Sequence, residues 1–179
     1  MNEMGREKSF SQKIPEGDDR PRRVCDSCGF IDYENPRIIV GAVCTLDDRF
    51  LLCRRAIPPR RGYWTMPAGY LEMGETTEQG AIRESWEEAR AKIVLDDLLA
   101  LYNVPRIGQV HMIYRARLTE PGHAPGPESL ETALLRWDDI PWNDLAYPNV
   151  GWALRHWKVV EGKAGFTPFG VPADYTGPL

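Results

Sequence analysis

The residues best suited to chemistry lie between positions 69 and 91, at fixed distances from one another. Gly69 is followed after five residues by Glu75, and Glu75 after seven residues by the run Arg83-Glu84-x-x-Glu87-Glu88. Mg²⁺ prefers oxygen ligands, which clustered carboxylates supply, and a bound divalent cation can neutralise phosphate oxygens and activate water. The segment therefore indicates a candidate site for a divalent cation.

A helix is expected to present these carboxylates. Thr76 is a good N-cap and Gln79 completes a capping box, which predicts a helix from about Thr77 to about Arg90. At 3.6 residues per turn one face collects the acids Glu84, Glu87 and Glu88. The opposite face collects side chains that we expect to be buried: Ile82, Trp86, Ala89 and Ile93.

Three glutamates on one helix face have an ordinary alternative interpretation. Like charges repel, and charged side chains are usually solvated, so the face could simply be exposed. Gly69, Glu75 and Arg83 at matching offsets favour a functional interpretation. Gly69 lies in a Met-Pro-Ala-Gly turn, where a glycine permits close approach of the backbone to a ligand.

The spacing from Gly69 to Glu88 resembles the Nudix box, the signature of hydrolases that cleave nucleoside diphosphates linked to another group. The resemblance implies Mg²⁺ or Mn²⁺ as cofactor, held by Glu84, Glu87, Glu88 and the carbonyl of Ala68. It implies a structural ion pair between Glu75 and Arg83. The chain departs from the family pattern at Ser85, Arg90 and Ala91, where helix packing and helix termination are concerned.

The order of predicted elements indicates the fold. Strands are expected at 37–45, 50–54, 63–66, 93–102, 110–118 and 134–137, with a last helix starting at 142–144. Mixed strands with one box helix and one C-terminal helix predict an α/β fold, the α/β/α sandwich that the resemblance also implies. We expect three segments: an N-terminal extension (1–35), the Nudix domain (36–161) and a Pro/Gly-rich tail (162–179).

The extension contains a zinc-knuckle sequence, Cys25-Asp-Ser-Cys28-Gly29. A zinc ribbon needs a second pair of ligands, and upstream the chain offers only Met1 and Met4 before Gly5. We therefore interpret the segment as a degenerate ribbon and do not expect structural zinc, unless another start codon or another subunit supplies ligands. Cys44 and Cys53 lie in apolar strands and are expected to be core thiols.

Three further segments resemble the bacterial Nudix branch with an N-terminal zinc ribbon, to which plant FAD pyrophosphohydrolases are related: 25–36, 103–110 and 124–131. This resemblance implies hydrolysis of FAD to FMN and AMP. ADP-ribose is the alternative substrate, and a nucleotide-sensing domain without catalysis is the alternative function. A motif of the SQPWPFP type, found in NADH-pyrophosphatase relatives, is absent, which argues against NADH and RNA caps.

Several roles stay open between named residues. The general base could be Glu87 or Glu88, or Glu128 or Glu131 from the later loop, with Glu131 expected just before a strand. Candidate substrate contacts are arginines for phosphate, aromatic rings for stacking and the turn glycine: Arg54, Arg55, Trp64, Tyr70 and Gly69. Core packing is the favoured alternative for Trp64, and a solvated loop is the equal alternative for the neighbouring Arg60 and Arg61.

Composition limits the partners. The net charge of −4 gives no general basic surface for nucleic acid. The sequence lacks a run of about 18 apolar residues and a signal-peptide pattern, so we expect no membrane association and a cytoplasmic location. The expected partner is a dinucleotide small molecule, and the family resemblance implies a possible second copy of the chain in a homodimer.

Overall fold

The computed structural model describes residues 9–177, which form two compact units that divide between Asn35 and Pro36. The first unit is a three-stranded antiparallel sheet of β1 (Phe10–Lys13), β2 (Arg22–Cys25) and β3 (Ile31–Asp32). The Cys25–Cys28 knuckle is the turn between β2 and β3. Its pairing was not anticipated from the sequence, because strands this short give little periodicity.

The second unit is built on a mixed sheet with one helix before its last three long strands and one helix after them. The strands are β4 (Arg37–Leu46), β5 (Arg49–Arg55), β6 (Trp64–Thr65), β7 (Ala68–Tyr70), β8 (Ile93–Val104), β9 (Gln109–Leu118) and β10 (Ser129–Arg136). The helices are α1 (Thr77–Ala89) and α2 (Pro148–Val159). The long strands run in the order β10-β5-β4-β9-β8, with β4 and β9 parallel and their other neighbours antiparallel.

The two faces of this sheet bury separate apolar clusters. Along β5, Phe50 and Leu52 belong to one cluster, whereas Leu51 and Cys53 belong to the other. Successive strand side chains point to opposite faces, so α1, which packs in the second cluster, and α2, which packs in the first, cover opposite sides. This arrangement confirms the predicted α/β/α sandwich.

A gap inside the sheet positions the site. β4 and β5 pair only beside their connecting turn, at Thr45–Phe50 and Leu46–Arg49. Farther along, β4 pairs with β7 and β5 pairs with β6. The chain between β6 and β7 fills the opening, where the Pro67 carbonyl accepts a hydrogen bond from the Ala42 N–H at 3.1 Å. Ala68 and the rest of β7 therefore lie against α1.

Two expectations about the helices were wrong. Ile82 and Trp86 are 43% and 45% exposed, whereas Glu84 and Glu88 are buried. Ala89 and Ile93 are buried as expected, so the face of α1 that meets the sheet combines Glu84 and Glu88 with small residues, and Glu87 is exposed. The predicted final helix is present, but its start was wrong: residues 142–144 form a separate short 3-10 turn, and α2 begins at Pro148, a residue that suits the first helical position.

The C-terminal segment packs on the core through side chains between Phe166 and Tyr175. Phe169 pairs with the edge strand β8 through hydrogen bonds with Leu99 and Leu101, at 3.0 and 2.8 Å. The cluster that contains Phe50, Leu52 and the buried residues of α2 is called the α2-side cluster. Four apolar side chains of the C-terminal segment contact it: Phe166, Phe169, Val171 and Tyr175. Among the described residues, no helix combines the length and apolar character needed to cross a membrane.

Candidate active site

The register of α1 is fixed at both ends. The capping box forms as predicted: the Thr76 hydroxyl accepts from the Gln79 N–H at 3.2 Å, and the Gln79 side chain accepts from the Thr76 N–H at 2.8 Å. At the other end Arg90 adopts a left-handed conformation, with φ of 51°, and its N–H donates to the helix. These caps fix which residues face the sheet.

Arg83 joins the helix to the loop before it. Its guanidinium donates two hydrogen bonds to the Glu75 carboxylate, at 3.0 and 2.8 Å, and one to the Tyr70 carbonyl at 2.9 Å. The hydrogen bonds from Arg83 hold the pKa of Glu75 down at about 2. The geometry is a bidentate charged pair, which resists rotation of the loop against the helix.

The same arginine contacts two of the clustered acids. One guanidinium nitrogen lies 2.7 Å from Glu84 and 2.9 Å from Glu87. Burial raises the pKa of Glu84, and the hydrogen bond from Arg83 opposes that effect. Arg83 therefore reduces the repulsion between two carboxylates that face the same cavity.

Glu88 is the most isolated of the acids. It is 6% exposed, and its carboxylate accepts a hydrogen bond from the Ala68 N–H at 3.2 Å. Burial raises the pKa of Glu88 to about 8, with the negative charge of Glu84 acting in the same direction. A buried carboxyl group of this kind is stabilised as an anion only when positive charge is brought close to it.

Gly69 lies directly on the carboxylates. A Cβ atom at this position would collide with the carboxylate of Glu84. A side chain here would therefore push the acid away from β7, so the glycine is needed for space and not for an unusual backbone angle. Close packing against Glu84, and not the requirements of a turn, therefore explains the glycine at position 69.

These residues line one cavity of about 990 Å³. At one end its lining is acidic: Glu84, Glu87, Glu88 and Glu128, together with Arg55, Arg83, Ala68 and Gly69. The rest of the lining contains the charged residues Glu72 and Arg90 and a larger number of apolar and neutral polar side chains, among them Ile39, Val104, Ile107, Gln109, His111 and Asn149. A cavity of this size, apolar with a few convergent polar groups, is typical of a small-molecule site.

Glu128 reaches the cavity on a loop that docks on the end of α1. The Ala124 N–H donates to the Ala89 carbonyl at 2.8 Å, and the Gly126 N–H donates to the Glu88 carbonyl at 3.0 Å. A Cβ on Gly126 would collide with the Glu87 carbonyl. The loop therefore uses the free carbonyl groups of the helix end as its anchor, with Glu128 two residues later.

Some of the predicted site residues lie elsewhere. Arg54, Trp64 and Glu131 are outside the cavity lining. Trp64 packs against the core, and Arg54 contacts Glu131 at 3.4 Å across paired strands. Glu131 does not precede a strand as expected but lies within β10, because that strand begins at Ser129.

The structure adds a polar row that the sequence interpretation missed. His111 hydrogen-bonds to Asn149 at 2.9 Å and to Gln109 at 2.8 Å, and all three residues line the cavity. Gln109 and His111 alternate with apolar residues on a strand, which was a signal for a polar face. Asn149 belongs to α2 and gave no such signal.

The described residues bring carboxylates together without already forming a metal cage. Within residues 9–177 no three His, Cys, Asp or Glu side chains are placed so that they could hold one ion together. Arg83 engages Glu84 and Glu87, and Glu88 accepts from the Ala68 N–H. The contact that Ala68 makes is thus through its N–H, whereas its carbonyl was the predicted ligand.

The knuckle in the first unit has two free thiols. Cys25 is buried and Cys28 is exposed. A hydrogen bond with Ser27, followed by backbone N–H groups, lowers the pKa of Cys25 to about 7. The upstream positions where a second ligand pair would lie, including Met1 and Met4, are outside the described residues.

Comparisons with protein families agree with this geometry. The model of the NUDIX domain matches residues 35–159, and the zinc-ribbon model described as Nudix N-terminal matches residues 8–34. A MutT-like protein of Streptomyces ambofaciens is 32% identical over 102 residues, which cover 57% of this chain and 64% of that protein. An ADP-ribose pyrophosphatase of Methanocaldococcus jannaschii is 33% identical over 73 residues, which cover 41% of this chain and 43% of that protein. The matched segments thus span less than two thirds of the length of either relative.

A solved structure is similar over nearly the whole chain. The crystal structure of a NUDIX hydrolase from Nitrosomonas europaea is 40% identical, with a TM-score of 0.86, and the match covers 96% of this chain and 97% of that one. Because the coverage is high on both sides, the similarity includes the first unit as well as the sandwich.

Proposed function

This chain belongs to the Nudix family, and from that premise we propose that it hydrolyses the diphosphate bridge of a nucleoside diphosphate linked to another group. The observation that best supports the proposal is the convergence of Glu84, Glu87, Glu88 and Glu128 on one cavity. Burial of the Glu84 and Glu88 carboxyl groups lowers the stability of the fold. A domain that only binds a ligand would gain no catalysis to offset that loss.

The donor set fits Mg²⁺ or Mn²⁺. We propose that Glu84, Glu87 and Glu88 reorient to hold the ion through carboxylate oxygens, with the Ala68 carbonyl as a further ligand, since no three acidic side chains among the described residues are already placed around one ion. Glu84 and Glu88 are buried beside the cavity, and a nearby cation would favour the ionised form of such carboxyl groups. When bound, the ion would neutralise phosphate oxygens and make a coordinated water more acidic.

The chain's own residues divide the remaining work. Arg55 lines the cavity and is suited to contact a phosphate oxygen, and Tyr70 is suited to stack against a ring. Glu75 and Arg83 hold the loop against α1. Arg54, Trp64 and Glu131 receive no role in substrate contact, since they lie outside the cavity.

Glu128 is the general base that we favour. It lines the cavity on a loop anchored to α1, which keeps its carboxylate near the acids without making it part of the helix. Glu87 and Glu88 are the other candidates in the lining, whereas Glu131 is 51% exposed and lies beside Arg54. The base would take a proton from the water that attacks phosphorus.

FAD is the substrate that we propose first, with FMN and AMP as products. The cavity volume and its apolar wall of Ile39, Val104 and Ile107 suit a dinucleotide with a large planar ring. ADP-ribose is the second candidate, supported by the similarity to a protein named ADP-ribose pyrophosphatase.

The test is product release from FAD and from ADP-ribose in parallel, with Mg²⁺, with Mn²⁺ and with excess chelator. We expect FMN and AMP from FAD only when metal is present, faster than AMP from ADP-ribose. Faster cleavage of ADP-ribose would retain the reaction and replace the substrate. Tight nucleotide binding without turnover of either compound would contradict the hydrolase proposal and favour a sensing domain.

We also propose that the chain forms a homodimer, as its family resemblance implies. Light scattering coupled to size-exclusion chromatography should give twice the mass of 20.4 kDa over a tenfold range of concentration. A mass equal to one chain throughout that range would contradict the proposal.

A further inference from the structure

The polar row in the cavity has a defined hydrogen-bond direction. The Asn149 amide nitrogen lies 2.9 Å from His111 Nδ1, and Gln109 Oε1 lies 2.8 Å from His111 Nε2. An amide nitrogen only donates, so Nδ1 accepts from Asn149, and the proton on Nε2 is donated to Gln109. His111 is therefore a neutral imidazole, in agreement with burial that lowers its pKa.

The row is connected to the catalytic end of the cavity. The Gln109 amide nitrogen approaches the Tyr70 hydroxyl at 3.5 Å, and the Tyr70 carbonyl accepts a hydrogen bond from Arg83. One residue of β7 thus contacts both ends. A substrate that spans the cavity would meet the acids at one end and uncharged hydrogen-bonding groups at the other.

The fold places apolar side chains beside this row. Ile39 pairs directly with His111 across the parallel strands β4 and β9, and Val104 pairs with Gln109 across β8 and β9. Paired strand residues share a face, so these side chains form a wall next to the polar groups. Apolar surface with neutral amide and imidazole groups at its edge is complementary to a planar heterocycle. The faces of such a ring are apolar, and the atoms at its edge form hydrogen bonds.

We propose that Asn149, His111 and Gln109 form a subsite for the hydrogen-bonding edge of a heterocyclic base, with Ile39 and Val104 against its ring. The subsite deepens the proposed hydrolysis of dinucleotides and rests on it. The hydrogen bond to His111 engages one amide donor of Asn149, and the amide also has a second donor and a carbonyl acceptor. A base edge that presents one acceptor beside one donor, as flavins and adenine do, complements that set.

Binding of monophosphate products tests the subsite without any need for turnover. Calorimetry in Mg²⁺ would compare FMN, AMP and ribose 5-phosphate on wild type, Asn149→Ala, His111→Phe and Gln109→Leu. The matched control is Asn143→Ala, an exposed asparagine outside the cavity lining. Thermal unfolding of each variant identifies any that fail to fold. Because there are three variants, the test can still be made if one of them does not fold.

We expect wild type to bind FMN or AMP at least tenfold more tightly than ribose 5-phosphate. Asn149→Ala should lose about tenfold in affinity for the base-bearing compound, the range of one or two neutral hydrogen bonds. His111→Phe and Gln109→Leu remove the side chains that position Asn149 and should lose less, and all three variants should retain affinity for ribose 5-phosphate. The FMN and AMP arms distinguish a flavin subsite from an adenine subsite.

Two outcomes would overturn the inference. One is equal binding of all three compounds by wild type, and the other is a loss that affects ribose 5-phosphate as much as the nucleotide. Failure of the proposed reaction would be seen separately, as base-dependent binding that depends on Asn149 in a protein that releases no product from dinucleotides.

Discussion

The two α-helices have nearly equal lengths, 13 and 12 residues, but they turn different chemistry toward the sheet. The buried face of α1 contains Glu84, Ser85 and Glu88 among small residues. The buried face of α2 contains large apolar side chains: Val150, Trp152, Leu154 and Trp157. Both faces are removed from water, so burial alone does not distinguish the helix that stabilises the fold from the helix that forms the site.

The difference shows how the molecule separates stability from chemistry. Packing of α2 removes aromatic surface from water, as in the edge-to-face contact of Trp157 with Phe50, with ring centroids 4.8 Å apart. Packing of α1 desolvates carboxylates, which opposes folding unless opposite charge is near. We therefore expect substitutions of the buried acids on α1 to lower activity far more than stability, and substitutions of the large apolar residues on α2 to do the reverse.

Glu88→Gln should give the largest effect on activity. The amide keeps the shape of the side chain but removes the charge, so kcat should fall by roughly 10²–10⁴-fold, the range for losing a base or a charged group at a reacting centre. Unfolding in denaturant should show equal or higher stability, because burial disfavours the ionised form of Glu88 and a neutral amide has no such cost. Steady-state kinetics and urea unfolding on the same preparations provide the measurement.

The exposed Glu78 of the same helix provides the control. It lies outside the cavity lining, so Glu78→Gln should leave kcat within about twofold of wild type, as for other surface substitutions. A Glu88→Gln protein with normal kcat, or with a large loss of stability, would contradict the assignment of α1 to chemistry.

Leu154→Ala should give the largest effect on stability. Leu154 is fully buried in the α2-side cluster, and truncating a core leucine costs about 2–5 kcal/mol. The variant should retain its KM and kcat per folded molecule at a temperature below its transition. A loss of kcat of more than tenfold in fully folded Leu154→Ala would show that the two faces are coupled.

Gly126→Ala should have a smaller effect that lies between the two classes. The added methyl group collides with the Glu87 carbonyl, so the loop must move away from α1 and take Glu128 with it. We expect kcat to fall by about 10- to 100-fold, with a stability loss of about 1–2 kcal/mol, within the usual range of single substitutions. KM should change less than kcat if Glu128 acts on the attacking water.

Gly122→Ala is the matched control in the same loop. A Cβ on Gly122 meets nothing within 4 Å, so its kcat should equal that of wild type. If both alanine variants were fully active, the anchoring of the loop on α1 would have no part in catalysis, and Glu128 would lose its support as the base.

The helix could be predicted from sequence because its signals are local. The capping box, the boundaries of α1 and the Glu75–Arg83 pair depend on residues close together in the chain. The departures at Ser85 and Arg90 also have local explanations. Ser85 is buried and donates to the Ala81 carbonyl at 2.9 Å, and Arg90 occupies the left-handed position for which glycine is the usual choice.

The direction in which α1 faces could not be predicted, because it depends on the gap between β4 and β5. Periodicity identified the apolar and acidic faces, but only the inserted β6–β7 segment makes the sheet side polar enough for Glu88, which accepts from the Ala68 N–H. Asn149 and His111 come together from α2 and β9, which are far apart in sequence. Contacts of this kind are set by the packing of both layers and leave no spacing to find.

The smallest predicted effect is a pH dependence of stability that arises from Glu88. Its pKa is raised from 4.5 to about 8, so between these values the folded protein binds more protons than the unfolded chain. The free energy of unfolding therefore contains a contribution that falls as pH rises from about 5 to about 8. In chelator, the unfolding midpoint of wild type relative to Glu88→Gln should drop over this window, by about 2–4 °C for each kcal/mol of this contribution that is lost.

Added Mg²⁺ should raise the wild-type midpoint more at pH 8 than at pH 6, because binding requires the ionised carboxylate. A difference between the two proteins that stays constant with pH would mean that Glu88 is ionised throughout, and the contrast between the helices would then rest on geometry alone.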